Sequence, residues 1–128
     1  MNTQLKYADL TGKIIGACLE VHKILGNGFQ EVIYQRALEH ELKSLGMEFC
    51  REFDMQIFYK GKNVGTRRVD FLICNISVEL KALVALEDVH LAQAKNYLEA
   101  YNLEIGLLIN FGSKSLECKR LFNPKFKP

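Results

Sequence analysis

The chain has 128 residues, 48% hydrophobic and 25% charged, a balance that suits one globular domain with a real core and excludes a disordered or low-complexity polypeptide. It contains no run of about eighteen apolar residues, so no membrane span is expected. A net charge of +2 is too small to argue for a nucleic-acid partner by itself. Cys18, Cys50, Cys74 and Cys118 are scattered, with no C-x-x-C pair. They read as reduced, structural thiols of a cytoplasmic protein, with three of them among apolar neighbours, rather than as zinc or redox ligands.

The first residues, MNTQLKYADL, lack the basic-then-apolar layout of a secretion signal. Over residues 10–25, Leu10, Ile14, Cys18, Val21 and Leu25 recur at helical spacing, with Ile15 and Leu19 widening the stripe, and Gly26 ends the run as a residue free to turn left-handed. A second helix is expected over about 30–45, burying Tyr34, Leu38, Leu42 and Leu45, with Gly46 as its stop. Glu31 falls in its first turn, where the helix dipole stabilises a carboxylate. Phe53, Met55, Ile57 and Tyr59 then alternate with mostly polar neighbours as in a strand. Gly61-Lys62-Asn63 reads as the turn into the next segment.

Residues 67–81, RRVDFLICNISVELK, carry β-branched and aromatic residues on both sides of Cys74-Asn75 and read as a tight hairpin. A two-residue loop pairs Ile73 with Ile76 and, counting outward, Asp70 with Glu79. Asp70, Glu79 and Lys81 then leave one face together. A three-residue loop would set Leu80 opposite Asp70 instead. Adjacent carboxylates repel unless a cation lies between them, and a cross-strand ion-pair network is the simpler reading of such a cluster.

Asp88 is a plausible cap for a helix reaching about Asn102, with Leu91, Ala94, Leu98 and Tyr101 on one stripe and His90, Gln93 and Tyr97 on a second. Residues 104–110 look like a strand buried on both faces, and a last strand around 117–122 precedes a basic tail at about 123–128. The order helix, helix, strand, strand, strand, helix, strand, strand describes a single α/β domain over residues 1–128, with helices packed on a mixed central sheet.

The spacing D-x8-E-x-K from Asp70 to Lys81 resembles the signature of the PD-(D/E)XK nuclease superfamily. Gly28-Phe29-Gln30-Glu31-Val32-Ile33-Tyr34 resembles the G-x-x-E-x-x-Y signature of the GxxExxY proteins within it. Further similarities run in order from about Leu10 to Arg120, among them Gly26-x-Gly28, Arg68-x-Asp70, and Gln93 with Tyr97. Val69 stands where the superfamily name has proline.

The resemblance implies an α-β-β-β-α-β core with an extra N-terminal helix. It implies a divalent-metal-dependent nuclease, with Mg²⁺ or Mn²⁺ on Asp70, Glu79 and the backbone carbonyl of Leu80, and with Glu31 completing the site. Lys81 would orient water or stabilise the oxyanion, Gln93 would position the reacting groups, and Arg68 would bind phosphate. Such a protein would act on nucleic acid and not on a membrane, with a homo-oligomeric or protein partner left open as a source of substrate recognition. A non-catalytic module that keeps the fold and binds nucleic acid or protein is the rival. His22 and His90 match family positions but read as satisfied structural histidines, and Tyr34 and Tyr97 read as core aromatics whose hydroxyls reach the site edge. Lys60, Lys62, Arg67 and Arg68 cluster near the hairpin, where they could contact a nucleic-acid backbone or simply form a charged turn.

Overall fold

The structure is a computed structural model in which residues 7–128 are described; the start of the MNTQLKYADL stretch lies outside the described residues. Helix α1, Ala8–Leu25, buries Ile14, Cys18 and Val21, the stripe its spacing predicts. Gly26, at φ 78°, closes it. Helix α2, Glu31–Ser44, buries Tyr34, Leu38 and Leu42. Leu45, expected in that buried set, is exposed just past the last turn. The strands are β1, Cys50–Tyr59; β2, Lys62–Ile73; β3, Ile76–Lys81; β4, Ile105–Asn110; and β5, Glu117–Phe122, with helix α3, Asp88–Tyr101, between β3 and β4.

These strands form one sheet in the order β1-β2-β3-β4-β5. The β3–β4 pair is parallel, joined by the α3 crossover, and the other pairs are antiparallel. The main core lies between the sheet and α1 with α2, where Ile14, Leu38, Phe71, Val78, Ile109 and Phe111 are fully enclosed. All six residues of β4 are buried, as expected of a strand covered on both faces. Helix α3 covers the other face, and Gly106 makes that possible: a Cβ there would stand 2.9 Å from a methyl of Leu98.

Several local expectations change. The turn before β2 is Lys60-Gly61, with φ of 49° and 79°, so Lys62 and Asn63 already belong to the strand. Two left-handed residues give a two-residue hairpin whose twist suits the strands. Along β1 the alternation of Phe53, Met55, Ile57 and Tyr59 is kept only in the middle, where Met55 and Ile57 are half-buried; α3 reaches this strand without covering its ends. Phe53 and Tyr59 are exposed, and the β1–β2 hairpin extends past the core as a ribbon. Helix α3 is capped by Glu87, not Asp88: the Glu87 side chain and His90 satisfy each other's backbone N–H. Cys18 is buried, whereas Cys50 and Cys74 are exposed, and all four thiols are free. The basic segment after β5 docks at the end of α3. Asn123 donates to the carbonyls of Leu98 and Leu103, and Asn102 exchanges hydrogen bonds with Lys127 at the end of α3.

Candidate active site

Cys74 and Asn75 both adopt left-handed φ, 50° and 67°, so the β2–β3 turn has two residues. Ile73 pairs with Ile76, Leu72 with Ser77 and Phe71 with Val78. Extending the same register sets Asp70 against Glu79, and the three-residue alternative falls away. The ladder itself ends at Phe71–Val78, just before this rung, and the Leu80 N–H donates to Asp70 Oδ2 at 2.8 Å instead. The strands part here, which gives the two carboxyls room to stand together.

The parallel pairing of β3 with β4 places Glu79 beside Leu108 and Lys81 beside Asn110. Asn110, fully buried, fixes the chain leaving β3. Its Oδ1 accepts from the N–H groups of Leu83 and Gly112, and its Nδ2 donates to Leu83 O and Glu117 Oε1. Helix α2 approaches from the other side. Gln35 Nε2 donates to Asp70 Oδ1 at 3.1 Å, and Arg51 in turn donates to Gln35 Oε1. The Tyr34 hydroxyl holds the start of this helix, donating to Gly26 O at 2.6 Å and accepting from the Phe29 N–H at 3.1 Å. Its ring stacks on Phe111. The tyrosine of the G-x-x-E-x-x-Y stretch therefore anchors the turn that sets Glu31.

Glu79 is 5% exposed. Arg67 Nη2 lies 3.3 Å from its Oε2, while its Oε1 has no hydrogen-bond donor. Burial, with the neighbouring Asp70 charge, pushes Glu79 up to about 8, against the opposing pull of Arg67 and Lys81. Burial also raises Asp70, opposed by its bond from Leu80 N–H and by Arg67 and Lys81. Two such carboxyls titrate as a pair, and one proton stays on the pair well above the ordinary carboxylate range.

Glu31 stands at the rim. Partial burial raises its pKa, the Lys81 charge lowers it and Asp70 raises it further. It thus shares the field of the pair without joining it, because Gln35, one turn along α2, takes the place against Asp70. Among the described residues no three His, Cys, Asp or Glu side chains form a ready cage for an ion.

Arg67, Glu79, Lys81, His90, Gln93 and Tyr97 line a cleft of about 10 Å³, about the space of one water or one small ion. Larger hollows beside Cys50 and Cys74, and beside Arg120 and Asn123, are lined without the acid pair. His90 has a cap to hold as well, its Nδ1 accepting from the Glu87 N–H. His22 lies outside the cleft with Nε2 3.0 Å from Ser113 O.

Arg68 does not reach the cleft. Its Nε lies 3.0 Å from Asp54 Oδ1, its cross-strand partner, and a guanidinium nitrogen lies 3.8 Å from Glu52. Arg67 enters instead, with its guanidinium 4.0 Å above the Tyr97 ring centroid. Sequence reasoning also missed Gln35. The signal available for it was its position four residues after Glu31, on the same helical face.

The acid pair fits a hard divalent cation. The donors are oxygens, Glu79 is buried with Asp70 half-buried beside it, and Glu79 Oε1 is left without a partner. The mixed five-stranded sheet with its flanking helices is the fold the sequence resemblance implies. The chain matches the profile of the PD-(D/E)XK nuclease superfamily over residues 8–121 and belongs to that superfamily. Among solved structures, one titled "Crystal structure of SSO0001" superposes with a TM-score of 0.59 over 94% of this chain at 19% identity, a likeness of fold. The chain spans 62% of that protein's length. No curated protein matches it.

Proposed function

We propose that the protein is a divalent-metal-dependent nuclease of the GxxExxY group, hydrolysing phosphodiester bonds in nucleic acid. The observation that carries this reading is the pairing of buried Glu79 with half-buried Asp70, with Lys81 on the next outward position of β3. Keeping two acids together under cover is costly unless a cation or proton joins them.

Asp70, Glu79 and the Leu80 carbonyl would hold Mg²⁺ or Mn²⁺, with Glu31 supplying a further oxygen from α2. The ion supplies charge neutralisation and a lowered pKa for water. Lys81, fixed by β4 and the Asn110 clamp, places an ammonium where negative charge grows on the phosphate oxygens. Gln93 faces it across the cleft and orients water or phosphate. Arg67 offers a guanidinium to the same phosphate. Arg68 would reach substrate only by giving up Asp54, so Arg67 takes that role here. With four free thiols, a cytoplasmic setting suits the reading.

The Arg67–Glu79 ion pair is the one observation that favours a non-catalytic module, since an internal cation already meets one carboxylate oxygen. Calorimetric titration of Mn²⁺ decides between them. Stoichiometric binding to wild type that is lost in Asp70→Ala supports the nuclease, and no binding to wild type supports the module.

A further inference from the structure

The β1–β2 ribbon holds a charge and surface pattern that the catalytic reading does not use. Residues 56–68, QIFYKGKNVGTRR, contain four basic residues and no acidic one, whereas the whole chain carries only +2. The rest of the chain is therefore net acidic, and positive charge is concentrated on this arm. Arg67 and Arg68 are engaged at its base, by Glu79 and Asp54. Lys60 and Lys62 at its tip form no ion pair among the described residues. Beside them Phe58 is 58% and Tyr59 62% exposed. Tyr59 pairs across the ribbon with Lys62, so ring and ammonium share a face, and Lys60 Nζ lies 5.4 Å from the Tyr59 ring centroid.

Clustered, uncovered aromatics mark a binding surface. An aromatic face beside a cation suits a base and its phosphate: the ring stacks on the unpaired base and the lysine meets the backbone. A second copy of the chain is the poorer fit, because symmetric contact would bring like-charged tips together and edge lysines discourage strand pairing. Strand β2 runs from this tip through Arg67 to Asp70, so a strand held on the arm is led toward the acid pair.

We infer that the β1–β2 ribbon is a binding arm for single-stranded nucleic acid, with Phe58 and Tyr59 stacking on bases and Lys60 and Lys62 on phosphates. It deepens the nuclease reading by naming the substrate's form, but its test reads binding alone. The measurement is fluorescence anisotropy of labelled single-stranded DNA and RNA oligonucleotides, in chelator, across a salt series. Lys60→Gln with Lys62→Gln should flatten the dependence of log affinity on log salt by about 1.4, at ~0.7 per phosphate contact. Phe58→Ser with Tyr59→Ser should weaken binding on the order of tenfold and leave the slope unchanged. Both double variants should melt like wild type, since the tip buries little.

Unchanged affinity in both double variants overturns the proposal. So does a preference for duplex that ignores the aromatic substitutions, or a ribbon whose substitutions alter only a monomer–dimer equilibrium in light scattering. Loss of binding in the ribbon variants of a protein that cleaves nothing would keep the arm and remove the nuclease.

Discussion

Arg67 grips Glu79 with one nitrogen, Nη2 to Oε2 at 3.3 Å, and rests its guanidinium plane 4.0 Å from the Tyr97 ring centroid. The arginine is the internal counter-ion of a buried acid, held in place by an aromatic floor. Arg67→Met keeps the length and removes the charge. At pH 8 in chelator it should cost about 1–2 kcal/mol, less than a fully buried pair because the arginine is partly exposed. At pH 5, with Glu79 protonated, the loss should shrink. Thermal melts at the two pH values check this; equal melts for variant and wild type at pH 8 would contradict it.

The acid pair gives the metal-free protein an unusual pH dependence. Glu79 and Asp70 are both raised above their ordinary values, so the folded state binds more protons here than the unfolded state. Their contribution to stability is full below the ordinary carboxylate range and is lost as pH rises to about 8, the value for Glu79. In chelator, midpoints should therefore fall between pH 5 and pH 8. Glu79→Gln should flatten that fall and melt above wild type at pH 8. A variant whose profile keeps the wild-type slope would show that the pair is not its source.

Asn110 binds both the N–H and the carbonyl of Leu83 on the chain that leaves β3, and the N–H of Gly112 just past β4. Asn110→Ala strands partly buried backbone groups and should cost about 1–3 kcal/mol. Denaturant titration gives the number, and a shift under about 0.5 kcal/mol, the range of ordinary surface changes, would contradict the clamp. If the clamp aims Lys81, divalent-ion binding should survive the change better than turnover does.

Much of this was readable from residue order. Two left-handed positions at Cys74-Asn75 fix a hairpin register, and a register fixes which side chains meet, so the facing of Asp70 and Glu79 followed from counting. The stripes of α1 and α2 and the doubly buried β4 followed from period alone. The arginines were not readable. Adjacent arginines on a strand look equivalent until Asp54, opposite Arg68, claims that one and α3 offers Tyr97 to the other. Nor could alternation in β1 reveal that Met55 and Ile57 would be half-buried while Phe53 and Tyr59 stay exposed, since covering is decided by distant elements. The cap of α3 shifted by one residue because His90 serves as the reciprocal partner of Glu87.

Cleavage by the wild type and by Lys81→Met, purified side by side, tests the central claim most directly. Single- and double-stranded DNA and RNA are offered with Mn²⁺ or Mg²⁺, and with chelator as the blank. The account predicts metal-dependent cleavage by the wild type, abolished in Lys81→Met although that variant still binds Mn²⁺ in calorimetry. Equal cleavage by both proteins, or no cleavage of any substrate by a wild type that binds no divalent ion, would contradict it.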